Sequence, residues 1–301
     1  MNILLLGANG QIGWELQRAL APLGQLKVCD RKAANLENLD NLRAIIRKYN
    51  PTAIVNAAAY TAVDRAESEL EKAYRINAEA VELIANEANR LNAWLLHFST
   101  DYIFDGTKSG AYIETDVPNP LSTYGKTKLQ GEELIRESGC KHIIFRSSWV
   151  YSARGSNFVK TMIQLAKERD NIEVVADQFG APTSAALIAD ITALSLYRLT
   201  HEKIFAEKVN GTYHLTPTGE ISWHGFARYV IAEAQKCGII LRVMPENVIP
   251  ISTSEFPLPA KRPANSRLDT QKLIDIFDVY LPPWQTHVQR LVTELSQQVT
   301  Q

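Results

Sequence analysis

Short apolar runs alternate with amphipathic stretches along the first two hundred residues. Residues 2–6, stopped by Gly7, fit a strand buried on both faces of a parallel sheet. Apolar positions at Trp14, Leu16, Leu20 and Leu23 then follow a helical pattern. The same alternation predicts strands over 26–29, 53–57, 94–99 and 143–146, with helices near 40–48, 73–90 and 123–137 between and after them. A strand over 172–175 and a helix over 185–199 extend the series. Such alternation predicts an α/β fold, a Rossmann-type doubly wound parallel sheet with helices on both faces. The remainder is less regular and holds Pro245, Pro250, Pro257, Pro259, Pro263, Pro282 and Pro283. It suggests a smaller C-terminal lobe. The expected division is a Rossmann-type domain over 1–150, joined again by about 172–200. Residues 151–171 and 201–301 would form the smaller lobe.

Composition narrows the function classes. The chain has 301 residues, 46% hydrophobic and 22% charged, which suits a globular protein with a sizeable core. Its 32 basic and 33 acidic residues nearly cancel, so neither nucleic acid nor an anionic membrane is favoured as a partner. Cys29, Cys140 and Cys237 are widely spaced and form neither a metal-ligand pattern nor a disulfide framework. The six histidines show no close metal spacing and read as structural or surface residues. The first residues carry no basic leader, and their apolar run is too short for a signal sequence or membrane span. Cytoplasmic residence is the expectation.

Gly7, Gly10 and Gly13 follow the first strand in a G-x-x-G-x-x-G spacing and open the first helix. Glycines there allow a tight turn and close approach of the backbone to a pyrophosphate, and the helix N-terminus adds N–H donors. Asp30 ends the second strand, about twenty residues on, where a carboxylate accepts bonds from the adenosine ribose hydroxyls of NADH. Arg31 and Lys32 suit the 2′-phosphate of NADPH instead, so the choice of cofactor stays open. A solvated strand end is the other reading of Asp30.

Tyr124 and Lys128 stand four apart, which puts both on one face of a helix. A neighbouring ammonium lowers the pKa of a phenol, so Tyr124 is expected to become a usable proton donor near neutral pH. Lys128 is also placed to hold the nicotinamide ribose. Thr100 ends the preceding strand, where α/β sheets place their ligands, and can bond a substrate carbonyl. Trp149 follows another strand; its indole suits a deoxysugar or a base, or fills a core. Arg262, in a proline-bounded loop, is either a diphosphate partner or a solvated arginine.

Together these residues resemble the extended short-chain dehydrogenase/reductases. The resemblance rests on Gly7-x-x-Gly10-x-x-Gly13, on Ser99-Thr100-Asp101-Tyr102-Ile103-Phe104 and on Tyr124-x-x-x-Lys128. Supporting runs are Asn56 to Asp64, Arg146 to Tyr151, Asp177 to Thr183 and Arg262 to Ser266, so it covers essentially the whole chain. More narrowly, these runs are similar to the branch that reduces the C4 keto group of dTDP-4-dehydro-L-rhamnose to give dTDP-L-rhamnose. That resemblance implies hydride transfer from NADH or NADPH, with Tyr124 as proton donor and Thr100 assisting. It implies that Gly10, Gln11, Ile12, Asp30, Ala59, Tyr60 and Thr61 line the cofactor, and that Thr100, Asp101 and Trp149 line the sugar of a dTDP-sugar substrate. Some members are homodimers bridged by a divalent metal such as Mg2+ held by glutamates. Glu15 and Glu294 are the candidates here. Ala186 stands where a carboxylate is expected, which argues against such a bridge.

Two rivals remain. A 4,6-dehydratase needs an Asp-Glu pair after the threonine, whereas Tyr102 follows Asp101 here; a 4-epimerase would recycle its cofactor. A non-catalytic dinucleotide-binding regulatory subunit would not need Thr100, Tyr124 and Lys128.

Overall fold

The computed structural model describes residues 1–299. It opens with β1 (Asn2–Leu6), α1 (Gln11–Leu20), β2 (Gln25–Cys29), α2 (Leu39–Tyr49) and β3 (Ala53–Asn56). Then come α3 (Ala80–Arg90), β4 (Trp94–Thr100), α4 (Thr123–Glu137), β5 (Lys141–Ser147), α5 (Phe158–Glu168) and α6 (Ala185–His201). The last part supplies β6 (Gly211–His214), α7 (Trp223–Lys236), α8 (Gln271–Phe277) and α9 (Trp284–Val299). No helix among the described residues is long and apolar enough to cross a membrane.

Six strands form one sheet in the order β6-β5-β4-β3-β1-β2, every neighbour parallel. Ile3, Leu4, Leu5 and Leu6 are all fully buried, as a strand covered on both faces requires. Side chains alternate between the faces. Ile3 and Leu5 pack in one layer with Leu16 and Leu20 of α1, Ile188 of α6 and Phe277 of α8. Leu4 and Leu6 pack in the other with Leu42 and Ile46 of α2 and Ile84 of α3. The Rossmann-type architecture expected from the alternation is present.

The boundaries follow local chemistry. Asn38 caps α2 by accepting from Asn41 N–H, and Asn50 closes it in the left-handed region at φ 51°. α1 starts at Gln11 rather than near Trp14, because its first turn runs through Gly13 of the glycine loop, which apolar periodicity reads as loop. The helix expected over 73–90 is interrupted by a π turn, Arg75–Glu79.

The division between lobes differs from the sequence reading. Ile172–Val175 does not enter the main sheet; it pairs with Val248–Ile251 in a separate two-stranded sheet. α6 does return, packing on α1 in the sheet's own core. β6 and α8 also belong to that core, although they lie within 201–301. β6 escaped notice because Gly211-Thr212-Tyr213-His214 offers only one large apolar residue. The smaller lobe has its own core of Val159, Ile163, Phe226, Val230, Trp284 and Val288.

Candidate active site

The strand order reverses between β1 and β3, the switch point where doubly wound sheets bind nucleotides. Gly7 turns the chain there at φ 82°, with its N–H and that of Ala8 bonded to Cys29 O. A Cβ on Gly7 would lie 2.5 Å from Ala58 N, and one on Gly13 would lie 2.1 Å from Gly7 O. The turn therefore excludes side chains at both positions. α1 starts behind it with no side-chain cap at Gly10. Its first N–H groups are thus available to an anion.

A cavity of about 850 Å³ runs from this turn past the ends of β4 and β5. Gly7, Gly10, Gln11, Ile12, Ala59, Tyr60 and Thr61 line one part; Thr100, Asp101, Tyr124, Lys128 and Trp149 line the other. Gly13 lies beneath the loop, against Gly7. Asp30 is not in the wall, but Arg31 is. The Asp30 carboxylate accepts from Lys32 and Ala33 N–H at 3.0 and 2.9 Å and from Asn9 Nδ2 at 3.2 Å. The Ala33 bond, ahead of the others, holds its pKa below the usual carboxylate value.

The loop after β3 is clamped by Asn77, which sits in the π turn. Asn77 accepts from Tyr60 N–H at 2.9 Å and donates to Tyr60 O at 3.1 Å and Thr127 Oγ at 3.2 Å. Apolar periodicity could not find it. A buried π turn beside a cavity is a recurring signature of a functional wall.

α4 begins at the cavity because Ser122 caps it through Gly125 N–H, and Glu67 accepts from Thr123 N–H at 2.8 Å. Gly125 lets it approach: a Cβ there would lie 2.2 Å from Tyr102 O. The four-residue spacing then brings Tyr124 and Lys128 to the same wall. Thr100 hydrogen-bonds with Tyr124, donates to Asp101 Oδ1 at 3.0 Å and accepts from Tyr102 N–H at 3.2 Å. Tyr102 meets Tyr124 edge to face at 5.8 Å between ring centres.

The expected electrostatics of the pair are corrected by this geometry. Lys128 Nζ turns away to Phe98 O at 2.7 Å and His97 Nε2 at 3.1 Å. Burial pushes the Tyr124 phenol up to about 12, outweighing the bond with Thr100. Burial likewise pushes Lys128 down to about 8. Asp101 is raised to about 6 by burial, against the pull of bonds from Ser266 and Thr100, and its Oδ2 has no partner in the protein.

Trp149 closes the far end in a left-handed conformation, φ 51°, which is strained for a bulky residue. Trp223 stacks on it with centres 3.5 Å apart, and a Cβ on Gly180 would lie 2.7 Å from its ring. One indole face is therefore already covered. Arg262 is also corrected: it does not line the cavity but pairs with Asp64, Nη1 to Oδ1 at 3.0 Å and Nη2 to Oδ2 at 2.7 Å. Glu15 lies 3.7 Å from Arg18, whose Nη2 donates to Asp190 Oδ1 at 2.8 Å. The carboxylate facing α1 from α6 is thus Asp190, one turn beyond Ala186. Glu294 is exposed on α9. No group of three or more His, Cys, Asp or Glu side chains placed to hold a metal occurs among the described residues.

The side-chain-free glycine turn, the uncapped helix start and the unpartnered Asp101 Oδ2 fit a dinucleotide and a polar substrate lying side by side. Fold and cavity define a dinucleotide-binding α/β protein of the short-chain dehydrogenase/reductase type. The chain belongs to the family described as the RmlD substrate binding domain, whose model matches residues 1–297. It is 49% identical over 299 residues to the dTDP-4-dehydrorhamnose reductase of Salmonella typhimurium strain LT2, covering 98% of each chain. The dTDP-4-dehydrorhamnose reductase of Escherichia coli K12 is also 49% identical over 299 residues, again covering 98% of each. Among solved structures, the dTDP-4-dehydrorhamnose reductase of Bacillus anthracis in complex with NADP superposes with a TM-score of 0.86. It is 36% identical, covering 97% of this chain and 98% of that one.

Proposed function

We propose that this chain reduces the C4 keto group of dTDP-4-dehydro-L-rhamnose to a hydroxyl, giving dTDP-L-rhamnose, with NADH or NADPH as reductant. The observation that carries the reading is the convergence of Thr100, Tyr124 and Lys128 on one wall, beside the glycine turn. The full-length similarity to dTDP-4-dehydrorhamnose reductases supports the sugar.

Gly7, Gly10, Gln11, Ile12 and the loop Ala59–Thr61 would hold the dinucleotide, which would supply the hydride. Tyr124 gives its proton to the C4 oxygen. The phenol is protonated at neutral pH, as a donor to an alkoxide must be; burial makes it a weaker acid, which a cation brought beside it would offset. Thr100 orients that phenol and, turning its one hydroxyl proton from Asp101, donates to the same oxygen. Asp101 Oδ2 is free to accept from a sugar hydroxyl. Trp149, backed by Trp223, walls the deoxysugar. Lys128 swings from Phe98 O to hold the ribose. Asp101 is followed by Tyr102, so the acid pair of a 4,6-dehydratase is missing.

The test is an assay of NADH and NADPH oxidation with dTDP-4-dehydro-L-rhamnose beside other 4-keto nucleotide sugars. One reduced nicotinamide consumed per sugar is expected. Interconversion of sugars without net consumption would mean an epimerase; cofactor binding without turnover would mean a regulatory subunit.

A further inference from the structure

Behind the cavity wall lies a chain of three buried side chains. Asn56 ends β3, His97 sits in β4 and Lys128 in α4, each about 1% exposed. Asn56 Nδ2 is 3.2 Å from His97 Nδ1, and His97 Nε2 is 3.1 Å from Lys128 Nζ. The roles along this chain are set from one end. Ala58 N–H can only donate, and it donates to Asn56 Oδ1 at 3.2 Å. The Asn56 amide thus presents its N–H to His97 Nδ1, which must accept. A neutral imidazole then carries its proton on Nε2 and donates it to Lys128 Nζ. Lys128 can accept only as a neutral amine, and it donates its own N–H to Phe98 O. A proton added to Lys128 would set two donors face to face in a dry site, which disfavours the ammonium relative to an exposed lysine.

We propose that Asn56 and His97 are positioning residues that favour the neutral amine of Lys128 and draw it back against β4, until a ligand turns it toward the cavity. The proposal rests on the reading of Lys128 as a functional lysine. The relay starts in the cofactor wall, where Asn56 and Ala58 both line the cavity, and ends on the residue assigned to the ribose. Other charged groups do not account for the arrangement. His142 of β5 faces His97, but its Nδ1 is committed to Cys140 O at 2.9 Å. Glu132, one turn beyond Lys128, favours the ammonium, but Arg146 of β5 and Arg136 already pair with it.

The test is the titration of Lys128 in the full chain, followed by the 13Cε and 15Nζ resonances assigned with Lys128→Met. Asn56→Asp replaces the amide donor with an acceptor, so His97 must carry its proton on Nδ1 and accept from an ammonium. The midpoint of Lys128 is expected to rise by about one unit or more. In a His97→Phe background the relay is cut, and the same Asn56→Asp change is expected to move the midpoint by only a small fraction of that. Equal shifts in both backgrounds would show a through-space charge effect and overturn the proposal. So would no shift with His97 present. Should Asn56→Asp not fold, His97→Gln serves alone: its amide oxygen accepts from an ammonium, so the midpoint must rise, and an unchanged midpoint overturns the proposal. None of these readouts needs turnover, so they fail or succeed independently of the sugar assay.

Discussion

At the scale of single residues, burial governs the site more than neighbouring charge does. Asp101 shows this most simply. Its pKa is raised by burial to about 6, above the ordinary 3.8. The folded state therefore holds the proton more tightly than the unfolded one. The stability this confers is fully present below pH about 4 and is lost as pH rises through about 6. Asp101→Asn removes the buried charge. Its stability relative to the parent should improve by roughly 2–3 kcal/mol between pH 4 and pH 7.5, read from melting curves at both. A pH-independent difference would contradict the assignment. Asp30 has a different role open to it. Asp30→Ala is expected to weaken NADH about tenfold by loss of a charged hydrogen bond, and NADPH less, since Arg31 stays in the wall. Fluorescence titration with both cofactors checks this. Equal losses would mean that Asp30 acts only through the turn and the Asn9 contact it holds. The placement of Tyr124 and Lys128 on one wall was legible in the sequence, because their spacing fixes it. Their protonation was not, because it depends on which backbone carbonyl and which histidine the lysine meets. His97 was unreadable for the same reason: no spacing marks a histidine that meets its partner across a strand and a helix.

At the scale of elements, glycines decide how closely backbones approach. Gly125 is the clearest case, since Tyr102 O occupies the space a side chain would need. Gly125→Ala must push α4 outward or rotate it. The expected cost is about 1–3 kcal/mol in denaturant unfolding, the range for overpacking, together with a fall in kcat as Tyr124 shifts. Unchanged stability and turnover would show that α4 yields freely. The central strands β1, β3, β4 and β5 were readable because each holds a continuous apolar run between helices, and the edge strand β2 because Leu26, Val28 and Cys29 stand just before Asp30. β6 was not, because its burial comes from tertiary position rather than its own composition. The same holds for Ile172–Val175, a good strand by pattern that finds its partner in the smaller lobe.

At the scale of the whole molecule, the two lobes share one chain repeatedly rather than once. The loop carrying Arg262 reaches back to Asp64 near the cofactor-side loop, and the pair is only partly screened. Asp64→Asn is expected to cost about 1 kcal/mol, a drop of a few degrees in melting temperature for a chain of this size. Cofactor affinity should be nearly unchanged, because neither residue belongs to the glycine turn. A large loss of cofactor affinity would place Arg262 in the binding machinery after all. The central claim concerns proton delivery from Tyr124, and one comparison tests it most directly. Tyr124→Phe keeps the ring and removes only the hydroxyl. Steady-state oxidation of NADPH with dTDP-4-dehydro-L-rhamnose should fall by about 10²–10⁴-fold, with cofactor binding retained. Turnover at the parent rate would contradict the assignment.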